Sequence, residues 1–185
     1  QKVEKVIFIS SDKAVYPVSV MGMSKALAER VMIAASRQGR GATTLSGTRY
    51  GNVMYTRGSV IPFFIDQMKA RQPISVTNKD MTRFMMSLND SVDLVLYALA
   101  NGKNGEIYVR KSPAATVGDT AQALVELFNH KKGIINIGIR PGEKMHETLI
   151  SPEELRRASD AGDYYSISPE LPKIDSREYF FKGEN

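Results

Sequence analysis

Four consecutive apolar, β-favouring residues, Val6-Ile7-Phe8-Ile9, begin only five residues from the start of this sequence. An apolar run without alternation reads as a strand covered on both faces, as in a parallel sheet. Such a strand needs neighbours on both sides, so the chain is expected to open in mid-fold. A helix is predicted over Ser19 to Gln38, with Met23, Leu27, Val31 and Ala34 recurring at helical spacing and Gly39 and Gly41 closing it. Thr43 to Thr48 reads as a second strand. Strand, helix and strand make one βαβ unit, the building block of a doubly wound α/β sheet.

After Gly58 the pattern shortens. Ile61 to Arg71 reads as a helix opened by Pro62, and Ile74 to Thr77 as a short strand. Asn89 and Asp90 are candidate caps for a helix running to Ala100 and stopped by Gly102. Glu106 to Arg110 is a predicted strand. Thr116-Val117-Gly118-Asp119 resembles a capping box opening a helix to Asn129. Ile134 to Ile139 is a further strand, and Pro152 to Ser159 a last short helix. A dinucleotide fold would show G-x-G-x-x-G between a strand and a helix. The nearest approach, Gly39-Arg40-Gly41 with Thr44 in the third position, follows a helix instead and reads as a helix stop. The phosphate cradle is therefore expected to lie outside these 185 residues.

Composition narrows the chemistry. An apolar fraction of 42% and a charged fraction of 24% are those of an ordinary soluble globular protein, large enough to bury a core. With no Cys there is neither a disulfide framework nor a thiolate metal site, and His130 and His146 alone argue against a histidine-rich one. No apolar run approaches the ~18 residues of a membrane span. Gln1-Lys2-Val3-Glu4-Lys5 does not read as a signal peptide, so the cytoplasm is the expected compartment. The net charge of +5 is scattered, whereas a nucleic-acid footprint is clustered. Scattered arginines suit a small polyanionic ligand such as a nucleotide diphosphate, and no nucleic-acid partner is expected.

The informative stretch is Ser10-Ser11-Asp12-Lys13, at the carboxyl end of the first strand, followed by Met21-Gly22-Met23-Ser24-Lys25. Open α/β sheets bind ligands just beyond the carboxyl ends of their strands. Hydroxyls, a carboxylate and an amine placed there supply hydrogen-bond donors, an acid and a base. Met21 and Lys25 stand four apart and share a helix face. Taken by spacing alone, the same residues are equally compatible with a turn and a solvated lysine.

Ser-Ser-Asp-Lys-Ala, Pro17, then Met-Gly-Met-Ser-Lys-Ala resembles the extended short-chain dehydrogenases that act on UDP-sugars. The likeness is closest to bacterial UDP-N-acetylglucosamine 4,6-dehydratases of capsule, O-antigen and flagellin-glycan synthesis. It continues through Arg49-Tyr50-Gly51-Asn52-Val53, Arg57-Gly58-Ser59-Val60-Ile61-Pro62, Met81-Thr82-Arg83-Phe84 and Arg140-Pro141-Gly142-Glu143-Lys144-Met145-His146-Glu147. One departure is large. Where most of that superfamily has Tyr-x-x-x-Lys, this sequence has Met21, and a thioether cannot titrate. A capsule-type subgroup is similar in carrying Met-x-x-x-Lys, and it resembles enzymes that remove water and invert C5.

The resemblance implies the C-terminal part of a doubly wound Rossmann-type parallel sheet plus a smaller α/β substrate-binding domain. Residues 1–56 would complete the dinucleotide-binding domain, and 57–185 would bind mainly the nucleotide sugar, with segments interleaved. It implies NADP, with NAD as the alternative, a UDP-N-acetylhexosamine substrate, a homo-oligomer, and an inactive chain when these residues stand alone. Asp12 would be the acid at the 6-hydroxyl and Lys13 the base at C5, with Ser11 bonding the sugar. Lys25 would hold the nicotinamide ribose and, with Met21 in the tyrosine position, assist at the 4-hydroxyl. Ser10 and Tyr50 would join Lys25 at the cofactor. Asn52, Arg57, Ser59, Val60, Arg83, Arg140 and Glu143 would bind substrate, the arginines gripping the diphosphate. His146, Met85-Met86 and Tyr164-Tyr165 read as structural. Two rival readings remain: a UDP-sugar 4-epimerase, which shares the C4 oxidation but has no use for an acid at the 6-hydroxyl, and a non-catalytic binding or assembly fragment.

Overall fold

The computed structural model describes residues 3–38 and 43–169. Strand β1 (Lys5–Ser11) runs into a single 3-10 turn, Asp12–Ala14, and then helix α1 (Val20–Gln38). Strand β2 (Thr44–Tyr50) returns parallel to β1, with Phe8 opposite Gly47 and Ser11 opposite Tyr50. The glycines expected to stop α1, Gly39 and Gly41, lie outside the described residues.

Next come β3 (Asn52–Val53), α2 (Val60–Lys69), β4 (Ile74–Val76), β5 (Thr82–Met86) and α3 (Leu88–Asn101). They are followed by β6 (Ile107–Arg110), β7 (Ala114–Thr116), α4 (Val117–Leu127) and β8 (Ile134–Asn136). The short helix α5 (Pro152–Leu155) and strands β9 (Ala158–Ala161) and β10 (Tyr164–Ile167) complete the described chain. The main sheet has the order β1-β2-β6-β10-β9. Its first three strands are parallel, and β10 and β9 are added antiparallel. This is the expected α/β architecture with a Rossmann-like parallel sheet. Two small sheets, β3-β5-β7 and β4-β8, pack with α2 and α4 into a second unit. The main sheet thus draws strands from both sides of residue 56.

Strand periodicity divides the core. Ile107 and Val109 face α1, where they cluster with Met32, Ile33, Leu149 and Ile167. Tyr108, between them in sequence, faces α3 with Leu94 and Ala98. A third cluster, Phe64, Ile74, Val76, Met81, Val117 and Ala121, holds the second unit together.

Among the described residues strand β1 pairs only with β2, and Val6 and Ile9 remain 45% and 38% exposed. Three expectations need correction. In α1 the residues that set the helical spacing, Met23, Leu27, Val31 and Ala34, lie on the exposed face, while Glu29, Met32, Ile33 and Ser36 turn to the sheet. Ser87, not Asn89 or Asp90, caps α3; Asp90 is the third residue of its capping box. The predicted last helix stops at Leu155, because Ala158–Ala161 pairs with β10 as a hairpin strand.

A buried ion network ties these layers together. Arg49 on β2 donates to both carboxylate oxygens of Glu29 on α1, at 2.9 and 2.7 Å, and to both of Glu154 on α5, at 2.7 Å each. Ser10 on β1 donates to Glu29. Burial works against the Arg49 charge, but its bonds to Glu29 and Glu154 outweigh it and raise its pKa. The same balance of burial against Arg49 holds the Glu154 carboxyl below its ordinary range. Arg49→Met leaves two buried carboxylates without their cation. It is expected to cost about 3–5 kcal/mol, read as a lowered denaturant midpoint. A depressed carboxylate contributes stability above its unfolded pKa and loses it as pH falls through the folded value. The native protein should therefore lose stability on acidification through this site, and the Arg49→Met variant should lack that component.

Candidate active site

Strand β1 ends where Ser11 folds its side chain over the next turn. Its Oγ accepts the Lys13 backbone N–H at 3.1 Å and donates to Asp12 Oδ1 at 2.8 Å. Lys13 Nζ donates to the same oxygen at 3.0 Å. Asp12 is fully buried, whereas the Lys13 side chain stays 34% exposed. Asp12 Oδ2 is buried with no partner among the described residues. A carboxylate and an amine thus stand in contact at the carboxyl end of a sheet strand, with one carboxylate oxygen uncommitted.

Helix α1 presses on this turn at Gly22. A Cβ there would lie 2.4 Å from the Lys13 carbonyl oxygen and 3.2 Å from the Pro17 Cβ, so only glycine permits the approach. Met21 beside it is 47% exposed. One turn on, Lys25 Nζ donates to the Ile9 carbonyl at 2.9 Å and lies 5.2 Å from the Phe8 ring centroid. Tyr16, next to the turn, is in a left-handed conformation (φ 47°). Its hydroxyl donates to Glu153 at 2.9 Å, and that bond raises its pKa.

Ser10 and Tyr50 point elsewhere. Ser10 is buried on Glu29, and the Tyr50 hydroxyl donates to the Ser91 carbonyl at 3.0 Å amid the α3 core. Burial holds the Tyr50 phenol above its ordinary range.

A cavity of about 500 Å³ opens at the start of α2. Asn52, Ser59, Val60, Arg83, Arg140 and Glu143 line it, over an apolar floor of Phe64, Val76 and Val117. Arg57 is exposed and is not among the lining residues. Asn52 Oδ1 and Ser59 Oγ are buried there without partners among the described residues, although Ser59 occupies the helix cap position. Uncommitted polar atoms, two guanidinium groups and the free amides of a helix N-terminus suit an anionic, hydroxyl-rich ligand. Arg83 is aimed by neighbouring backbone carbonyls, donating to that of Thr82 at 2.8 Å and that of Met145 at 3.4 Å. Arg140 sits on the turn closed by Glu143 N–H to the Arg140 carbonyl, with Gly142 at φ 82°. A smaller cavity of about 180 Å³, also lined by Arg83 and Glu143, reaches Lys13. Among the described residues no group of three or more His, Asp or Glu side chains is arranged to hold a metal ion. Within those residues, too, no helix is long and apolar enough to cross a membrane.

A sequence model of the family described as "Polysaccharide biosynthesis protein" matches residues 1–169. The chain belongs to that family. Among curated members, it is 52% identical over 184 residues to a UDP-glucose 4-epimerase of Rickettsia rickettsii, covering 99% of this chain and 54% of that protein. A UDP-glucose 4-epimerase of Rickettsia felis is 51% identical over the same length. The chain therefore spans about half the length of the curated relatives it matches. Among solved structures, Pen from Bacillus thuringiensis superposes with a TM-score of 0.87 at 39% identity, over 94% of this chain and 56% of that one. A dTDP-glucose 4,6-dehydratase from Bacillus anthracis in complex with NAD, at 17% identity and TM-score 0.68 over 80% of this chain and 53% of its own, shares the fold. These findings bear out the family-level resemblance and the fold class.

In this member of the polysaccharide biosynthesis family, residues given no role from the sequence also converge on the site. Glu147 and Lys144 line the smaller cavity beside Lys13. Both stand inside the Arg140–Glu147 motif, but nothing in their spacing shows that they meet Lys13. His146, read as structural, pairs its Nδ1 with Thr82 Oγ1 at 2.9 Å.

Proposed function

We propose that this chain carries the acid–base and substrate-binding residues of a nucleotide-sugar 4,6-dehydratase that inverts C5, acting in the whole protein on UDP-N-acetylglucosamine in polysaccharide synthesis. The observation that carries the reading is the Asp12–Lys13 pair at the end of β1, with Met21 exposed on the helix that packs against it. Proton transfer within the 3.0 Å contact turns carboxylate and ammonium into carboxylic acid and amine, which makes an acid and a base in one move. A nicotinamide cofactor, NADP or NAD, supplies the hydride acceptor for C4 and the hydride for C6 when bound.

Oxidation at C4 acidifies the C5 proton. Lys13 takes that proton, the C5–C6 double bond forms, and the C6–O bond breaks as the Asp12 carboxyl gives up the proton it took from Lys13 to the departing hydroxyl. Water leaves, and the pair is again carboxylate and ammonium, ready for the next turnover. C5 then takes a proton from solvent, balancing the one released by the 4-hydroxyl, on the face opposite Lys13, which inverts it. Ser11 bonds the sugar, and Lys25 holds the nicotinamide ribose and assists at the 4-hydroxyl. Arg83 and Arg140 grip the diphosphate, and Asn52, Ser59 and Glu143 take its remaining oxygens and the ribose.

A second reading, UDP-sugar 4-epimerase, is favoured by the names of relatives about half identical to this chain. The product separates the two. The whole protein supplied with UDP-N-acetylglucosamine should give an NMR spectrum with a new 6-methyl signal and inverted C5. A product that keeps its 6-hydroxyl and differs only at C4 establishes the epimerase.

A further inference from the structure

Glu147 is a buried carboxylate that the proposed mechanism leaves unused. Its side chain is 4% exposed, and its Oε1 lies 3.9 Å from Lys13 Nζ. On its other side, Lys144 Nζ stands 2.8 Å from Oε2. That contact is ionic and lies off the line of a hydrogen bond, so Oε2 accepts none among the described residues. Lys144, itself only 13% exposed, donates instead to the Val15 carbonyl at 2.8 Å, just past the turn that carries Asp12 and Lys13. Charges therefore alternate across the site: Asp12, Lys13, Glu147, Lys144. The Lys13 amine sits between two carboxylates, close to one and loosely facing the other, at the wall of the small cavity that shares Arg83 and Glu143 with the larger pocket.

We infer that Glu147 is a positioning residue for Lys13, held in place by Lys144, and that it acts on the elimination step. The inference rests on the dehydratase reading. When Lys13 takes the C5 proton it becomes an ammonium, and a fixed buried carboxylate on the cavity side stabilises that charge as it forms. It also gives the amine a second anchor, so that Lys13 leaves Asp12 toward the substrate without entering bulk water. A tie serving the fold alone needs only Lys144 and the Val15 carbonyl. The carboxylate oxygen turned to Lys13 adds nothing to that tie.

The test is a single turnover of the whole protein with its nicotinamide cofactor and UDP-N-acetylglucosamine. Reduced-nicotinamide absorbance follows C4 oxidation, and NMR follows the 6-methyl product. Glu147→Gln keeps the shape and removes the charge. It should slow elimination about ten- to hundred-fold, less than the ~10²–10⁴ lost with an acid–base group itself, while oxidation and KM stay near wild type. Glu147→Asp should recover part of the loss. Because Glu147→Gln leaves the buried Lys144 without its counter-charge, the double variant Lys144→Met/Glu147→Gln, which buries no unpaired charge, should show the same selective loss. Oxidation and elimination falling together, or neither falling, overturns the inference while leaving the dehydratase reading intact. A wild-type protein that forms only the C4 epimer overturns both, and its own product reveals that before any variant is made.

Discussion

Asp12→Asn in the whole protein is expected to stop elimination while C4 oxidation still proceeds, so that reduced nicotinamide accumulates in a single turnover. Asn keeps the shape and accepts from Ser11 and Lys13 as Asp12 Oδ1 does. What it lacks is a carboxyl group that can take up and release a proton. General acid catalysis is worth ~10²–10⁴ in rate, and the loss should fall in that range, confined to the dehydration step. Rapid-mixing absorbance together with product NMR gives the answer. A variant that neither accumulates reduced nicotinamide nor slows removes Asp12 from the role of acid.

Lys25→Ala should abolish even the first hydride transfer, whereas Met21→Ala should do much less. The Lys25 amine reaches back to the Ile9 carbonyl, beside the strand end that carries the acid–base pair. An amine there can hold a ribose hydroxyl and relay the 4-hydroxyl proton. Met21 offers bulk and a weakly accepting sulfur, and at 47% exposure its removal opens no deep cavity. Oxidation followed at saturating substrate across pH distinguishes the two. A Lys25→Ala protein that still reduces its cofactor at a near-normal rate sinks the assignment and turns attention to Lys13. A Met21→Ala protein as inactive as Lys25→Ala shows that the thioether places the sugar.

Much of the site was legible because its parts lie close together in sequence. Ser11, Asp12 and Lys13 are consecutive, and the strand that ends on them is a local apolar run. Gly22 stands where α1 meets the turn, within the same motif. The substrate-binding candidates were named on resemblance, and the fold brings Asn52, Ser59, Val60, Arg83, Arg140 and Glu143 to one cavity, leaving Arg57 outside its lining. Ser10 and Tyr50, also named on resemblance, are engaged within the fold, Ser10 donating to Glu29 and Tyr50 to the Ser91 carbonyl.

The sequence by itself determined what depends on neighbours within a few residues: the β1–α1–β2 unit, most helix bounds, the turn chemistry at Ser11 and the departure at Met21. Such features follow from local backbone preference and from side-chain period. Only the tertiary structure decided the rest. Ala158–Ala161 becomes a strand because Tyr164–Ile167 offers it a partner that is itself paired to β6, with Tyr164 stacked at 4.0 Å on Tyr97. Arg49, joined to Glu29, reaches Glu154 across 105 residues, and Glu147 faces Lys13 from the far end of another motif. A buried charge takes the partner that the fold brings within reach, because its desolvation must be offset there, and no local pattern encodes which distant residue that is.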